Sequence, residues 1–331
     1  MTAAVDIQDL ARQIQDARGV AHKRDIDAVV ARLGLGSRHT AVPVGDDCAA
    51  IPDGDGHLLL AIEGFLDSFV AADPYFAGYC GIMVNLSDVA ARGGRPLAVV
   101  DALWSRDAAE ADPILAGLSD AAALYGVPVV GGHTNTRADV GNLAVAVLGR
   151  AGPRLLTSFD ATPGDDLVAA VDLRGRFREP HPYWDASTGA PGERLRGDLA
   201  LLPGLAEDGL CRAAKDISMA GVVGTALMLL ECSNVGGLVN LDAIPRPEHG
   251  PLARWLTAFP SFGYLLSVRP DRTPAVCERF AARGIASAPI GRLDASRVAR
   301  VRGSAGEEAV VWDFAASPLI GCGQDRARVT P

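Results

Sequence analysis

From Leu58 onward, strand-length apolar runs alternate with helix-length ones, and that alternation restricts the chain more than any other feature of its sequence. Leu58–Ile62 reads as a strand. Tyr75–Arg92 reads as a long, largely apolar helix stopped by the Gly93-Gly94 pair. Leu97–Leu103 follows as a buried strand and Ala108–Tyr125 as another helix. Val127–Val130 runs into Gly131-Gly132, and Asn142–Gly149 is a further strand. Strands interleaved with helices in this way predict an α/β or α+β fold built on mixed sheets. Upstream, Ile7, Leu10, Ala11 and Ile14 have the spacing of a surface helix, and Asp25–Leu33 suits a second.

With 331 residues the chain is too long for one ordinary core, so two domains are expected. Composition shifts at Gly152–Pro163, which divides the chain into 1–155 and 156–331. Leu167–Val171 begins the second set of elements, continued by Glu193–Leu210, Met219–Glu231, Tyr264–Val268, Pro274–Arg283 and Ala309–Asp313. Between them, Arg176–Glu193 is rich in Pro, Gly and charge and predicts a long surface loop. Within it, Arg178–Asp185 is a substrate-loop candidate, with a surface loop around one packed Trp as the plainer alternative.

Charge narrows the partners. Basic residues number 31 against 40 acids, a net charge of −9, and the only lysines are Lys23 and Lys215. Nucleic acid is therefore not an expected partner. The six cysteines are widely spaced and form no C-x-x-C pair, which argues for reduced thiols over a zinc knuckle or a disulfide framework. No apolar run approaches the ~20 residues that span a bilayer, and the acid-bearing N-terminus has no signal-peptide core. A soluble, cytoplasmic protein is expected.

Familiar nucleotide and hydrolase signatures are missing: no Gly-Lys-Ser/Thr, no G-x-G-x-x-G after a strand, no H-E-x-x-H and no G-x-S-x-G. What remains is a set of polar residues beside turns and helix ends. Gly45-Asp46-Asp47 lies between apolar segments, where a tight turn exposes two mutually repelling carboxylates that a hard divalent cation would relieve; an ordinary Asp-rich turn is the alternative. Glu63 interrupts the end of a strand. Asn85, Ser87 and Asp88 sit within the long apolar helix, Asn85 and Asp88 on one face, and buried polar groups need partners. Gly131, Gly132, His133 and Thr134 follow a short strand, where paired glycines let backbone approach a ligand. Asp216 and Ser218 precede an apolar helix, where capping competes with anion binding.

In order along the chain, GDD, NLSDVAARGG, VGGHTNT, DATPGDDLV and KDIS before an apolar helix resemble the superfamily of aminoimidazole ribonucleotide synthetase. That group includes thiamine-monophosphate kinase, selenophosphate synthetase and a hydrogenase-maturation carbamoyl dehydratase. The resemblance implies two α/β domains, with the N-terminal sheets of two chains closing into a barrel in a homodimer. It implies ATP held through Mg²⁺ by acids, with Asp46, Glu63, Asp88 and Asp216 as metal ligands. Asn85, Gly131, Gly132 and Thr134 would line the nucleotide site, and His133 and Asp47 are the candidate catalytic residues. Phosphoryl transfer suits such a site, since it needs charge neutralisation and alignment more than covalent help.

Each named branch departs from this chain. The first cysteine is Cys48, unlike the reactive N-terminal residue of selenophosphate synthetase. Cys322 is followed by nine residues, unlike the terminal cysteine of the hydrogenase branch. Asp216-Ile217-Ser218-Met219-Ala220-Gly221 lacks the second acid of the kinase's D-[IV]-S-D-G-L. The expected activity is therefore that of an ATP-dependent phosphotransferase or synthetase on a small-molecule acceptor the sequence does not identify. A non-catalytic nucleotide-binding protein of the same fold is the alternative, motivated by Met219.

Overall fold

The computed structural model describes residues 6–33, 40 and 42–322, so the nine residues after Cys322 lie outside it. The chain folds as two compact units. One comprises Asp47–Leu155 and Gly189–Glu207; the other comprises the N-terminal segment up to Asp46, Leu156–Thr188 and the chain from Asp208 onward.

Three helices open the chain: α1 (Ile7–Asp16), α2 (Arg18–Lys23) and α3 (Asp25–Leu33). Asp6 caps the first by accepting from the Gln8 N–H at 2.8 Å, and Ile7, Leu10, Ala11 and Ile14 form its buried stripe.

The Asp47–Leu155 unit is a five-stranded sheet with helices on one side. Its elements are β1 (Ala49–Asp53), β2 (Gly56–Gly64), α4 (Asp67–Ala72), α5 (Pro74–Ala91), β3 (Arg95–Trp104), α6 (Ala108–Tyr125), β4 (Val129–Asn135) and β5 (Asn142–Ala151). Strand order is β1-β2-β5-β3-β4; β3 and β4 pair in parallel and the other neighbours antiparallel. α5 starts cleanly because Asp73 caps it and Pro74 occupies the first turn. Every residue from Phe76 to Ala91 is buried, which explains why that helix is apolar on all sides. The opposite face of the sheet is uncovered among the described residues. Leu60 pairs with Leu148, and Ile62 aligns through Ala146 with Val100, yet these four apolar residues are 39–68% exposed. Two further helices, α7 (Gly192–Leu199) and α8 (Leu201–Glu207), belong to this unit. They fall within the element expected over Glu193–Leu210 and are separated at Ala200.

The other unit is organised around seven strands. Its elements are β6 (Asp166–Val171), β7 (Arg176–Phe177), β8 (Tyr183–Asp185), β9 (Ala213–Asp216), α9 (Gly221–Cys232), β10 (Gly236–Asn240), α10 (Leu252–Leu256), β11 (Phe259–Pro260), β12 (Gly263–Val268), α11 (Thr273–Ala281), β13 (Ala286–Asp294), β14 (Val298–Arg302) and β15 (Glu308–Asp313). The large sheet runs β15-β14-β10-β13-β6-β12-β9. β6 and β12 lie inside it and are buried along almost their whole length, as their unbroken apolar sequences require.

The expected loop at Arg176–Glu193 is instead ordered structure. β7 and β8 join β11 in a small sheet, and Trp184 packs edge-on against both Phe177 and Trp255. Burying those rings outweighs the loop-forming composition of the segment. Among the described residues all three sheets are open, and no helix is long and apolar enough to cross a membrane.

Candidate functional site

Helix α5 supplies the centre of the candidate site. Asp88 is 5% exposed, and one of its carboxylate oxygens lies within 4.8 Å of one from Asp47, which is half-buried just before β1. Two ionised carboxylates at that spacing repel by roughly 3–4 kcal/mol at an effective dielectric of about 20. A divalent cation turns that repulsion into attraction.

One turn earlier on the same helix, Asn85 is fully buried. Its Nδ2 donates to the Gly81 carbonyl at 2.8 Å. A carbonyl only accepts, so this bond fixes which end of the amide carries the nitrogen. The Asn85 Oδ1 is then left with no hydrogen-bond partner among the described residues. Two carboxylates and a bare amide oxygen are hard oxygen donors, the set that Mg²⁺ takes. The residues present fit that ion.

The two acids of the Gly45-Asp46-Asp47 turn have different neighbours. Asp46 accepts from the Ser158 N–H at 2.9 Å and from the Ser158 hydroxyl at 2.8 Å, one bond on each oxygen. Asp47 is the acid beside Asp88.

The five-stranded sheet separates the remaining candidates. Glu63 pairs with Val145, Val145 with Asp101, and Asp101 with Gly132, so these four form one row and share a face. Val145 is fully buried beneath Gly81 of α5, which makes this the helix-covered face. Ala144, Ala102 and His133 form the next row and point the other way. His133, its ring 5.9 Å from Trp104, is thus on the uncovered face with Gly131, and is not brought together with Glu63. Thr134 lies opposite the buried Leu103 on the exposed edge strand β4.

Asp101 is a partly buried acid in the same row as Glu63 that the sequence alone did not single out. Burial raises its carboxyl above the usual range, partly opposed by a hydrogen bond from its own backbone. A Cβ on Gly132 would fall on the Asp101 carboxylate, so glycine is needed there for this packing. The available signal was a carboxylate inside the apolar run Leu97–Leu103.

In the other unit, Asp216 ends β9 opposite Tyr264 and is 5% exposed. The chain then turns: the Ile217 N–H donates to the Gly263 carbonyl at 2.8 Å, and the Gly221 N–H to the Ser218 carbonyl at 2.8 Å. No side chain caps α9, and the Ser218 hydroxyl is buried with no partner among the described residues. The Asp165 of the A-x-P-G-D segment instead serves the fold, accepting from the Ser267 hydroxyl at 2.8 Å. The Arg178–Asp185 segment likewise makes structural contacts: Arg254 stacks on Phe177 at 3.8 Å and reaches Glu179 at 2.7 Å.

Two mixed α/β units carrying these acids in this order define a class, and the comparisons identify it. The profile described as AIR synthase related protein, N-terminal domain, matches residues 45–151, and that of the corresponding C-terminal domain matches residues 192–304. The chain belongs to the AIR synthase related family. Over 320 residues it is 46% identical to the uncharacterized protein sll0787 of Synechocystis sp., covering 95% of this chain and 98% of that one. Its fold is similar to T. maritima PurL complexed with ADP, with a TM-score of 0.75 at 20% identity. That match covers 99% of this chain but only 54% of PurL. It is also similar to AaThiL complexed with AMPPCP and TMP, with a TM-score of 0.64 at 20% identity over 86% of this chain and 93% of that one.

Proposed function

We propose that this protein is a Mg²⁺-dependent, ATP-using phosphotransferase or synthetase acting on a small-molecule acceptor. The observation that carries this reading is the pairing of Asp88 with Asp47 one helical turn from the unpartnered Asn85 oxygen. The neighbours captured with ADP and AMPPCP support the nucleotide assignment.

In this reading Asp47 and Asp88 would hold the metal, Glu63 is a further ligand candidate on the helix-covered face of the same sheet, and Asp216 is the ligand candidate of the other unit. Asp46 keeps the turn in place through Ser158. Asn85 completes the metal shell or accepts from a bound water, while Gly132 and Thr134, on the same face as Glu63, line the nucleotide path and Gly131 faces the other way. When bound, Mg²⁺ would neutralise the triphosphate and leave the protein mainly to align the acceptor. No proton acceptor is assigned, because in this reading Asp47 is a metal ligand and His133 lies on the face of the sheet opposite to Glu63. The uncovered apolar face of the five-stranded sheet supports a homodimer closed through that face. The six cysteines are all free thiols, which fits a reducing compartment.

Calorimetric titration with AMPPCP tests the reading. Binding is expected with Mg²⁺ and is expected to be lost with EDTA or in Asp88→Asn. Equal binding under all three conditions would remove the proposal. Turnover is then sought by screening small metabolites for ATP consumption.

A further inference from the structure

Three consecutive residues close α9, and each is committed to a different piece of chain. Glu231, 5% exposed, accepts from the Leu319 N–H at 2.7 Å, the Ile320 N–H at 2.7 Å and the Gly321 N–H at 3.3 Å. The Cys232 thiol donates to the Gly45 carbonyl at 3.6 Å. The Ser233 hydroxyl donates to the Ser158 carbonyl at 2.7 Å and accepts from the Ala161 N–H at 3.0 Å. Ser158 is the residue that holds both oxygens of Asp46.

The circuit closes on Gly45. That residue has φ +120°, and the space a Cβ would take there is filled by Cys322, whose Sγ is 2.7 Å from the point. Cys322 follows directly on the three amides that Glu231 gathers. Burial pushes the Cys322 thiol up to about 11 and Cys232 well above its ordinary value. Both therefore stay protonated and act as packing groups and donors, not as nucleophiles.

We infer that Glu231, Cys232 and Ser233 form a clamp that fixes segment Leu319–Cys322 and the Gly45–Asp46 turn to each other, making Glu231 and Cys322 positioning residues for the acid turn of the proposed site. The inference rests on that site for its functional consequence. A buried carboxylate bonded to three backbone N–H groups is a rigid anchor, because charge-assisted bonds are short and costly to break. Mg²⁺ demands near-octahedral geometry, so a small shift of the Asp46-Asp47 turn lowers metal affinity before it affects the fold.

The test combines hydrogen exchange with a Mg²⁺ titration of AMPPCP binding on the full chain. In Glu231→Gln the amides of 319–321 and of 45–48 are expected to exchange together, at least about tenfold faster than in the wild type. The Mg²⁺ concentration for half-maximal nucleotide binding is expected to rise about tenfold, while nucleotide affinity at saturating Mg²⁺ is unchanged. Cys322→Gly, which leaves the Glu231 bonds in place, is expected to loosen 45–48 with 319–321 still protected. It decides the matter if Glu231→Gln does not fold. Loosening of 319–321 with 45–48 unaffected, or no change at 45–48 in Cys322→Gly, would overturn the clamp. If the wild type shows no Mg²⁺-dependent nucleotide binding, the proposed function fails, and the exchange data alone still decide the coupling.

Discussion

Replacing Asn85 with leucine separates a functional polar group from a structural one. Asn85 is fully buried, bonded through Nδ2 to Gly81 and unpartnered at Oδ1. A buried acceptor without a partner costs about 1–3 kcal/mol, whereas the bond to Gly81 is worth about 1 kcal/mol. Leucine has similar branching and no polar atom. The ligand-free Asn85→Leu protein is thus expected to gain about 0–2 kcal/mol, a melting-temperature rise of up to about 6 °C at roughly 3 °C per kcal/mol. The same variant is expected to lose Mg²⁺-dependent AMPPCP binding by calorimetry, since a hard oxygen donor has gone. Gain in stability with loss of binding is the signature of a residue retained for a ligand. A variant destabilised by more than about 2 kcal/mol that still binds as the wild type does would show that the amide serves the fold, and the reasoning would fail.

Further outcomes follow from the five-stranded sheet. Gly132→Ala is expected to cost about 1–3 kcal/mol by denaturant unfolding, because the new Cβ meets the Asp101 carboxylate. Adding Asp101→Ala should relieve only part of that cost, since the Asp101 carbonyl lies 2.6 Å from the same point. The Asp101 carboxyl is raised by burial, so the stability linked to it is full at acid pH and is lost as pH climbs through its raised value. Asp101→Asn is therefore expected to match the wild type near pH 4 and to melt higher by about pH 7; a pH-independent offset would contradict this. Ile62→Glu, on the uncovered face, is expected to give a monomer by sedimentation with its fold intact by circular dichroism. Retention of a dimer would place the interface elsewhere.

Much of the fold was legible because several elements satisfy local and tertiary demands at once. The long helix was readable from its apolar run, its Asp73-Pro74 start and its Gly93-Gly94 stop, and the structure ends it at Ala91. β6 and β12 were readable because strands buried on both faces are continuously apolar. By contrast β10, β13 and β14 mix glycine, proline or arginine with apolar residues, and only pairing with their neighbours makes them strands. β7 and β8 exist because distant Trp255 and Phe259 pack against them, which no local pattern encodes.

For the candidate site the sequence offered residues and not their arrangement. Asn85 and Asp88 were found because polar groups in an apolar helix stand out. The different neighbours of Asp46 and Asp47 depend on Ser158, 112 residues downstream of Asp46, and adjacent acids in a turn look alike in sequence. The separation of His133 from Glu63 depends on sheet register, where one residue of offset reverses the face.

Metal placement bears most directly on the central claim. Crystals grown with AMPPCP and Mn²⁺ in place of Mg²⁺ would give an anomalous peak wherever the cation sits. The expected peak lies within about 2.0–2.4 Å of carboxylate oxygens from both Asp47 and Asp88 and contacts the nucleotide phosphates. Nucleotide bound without a peak there, or a peak held only by other residues, would contradict the account.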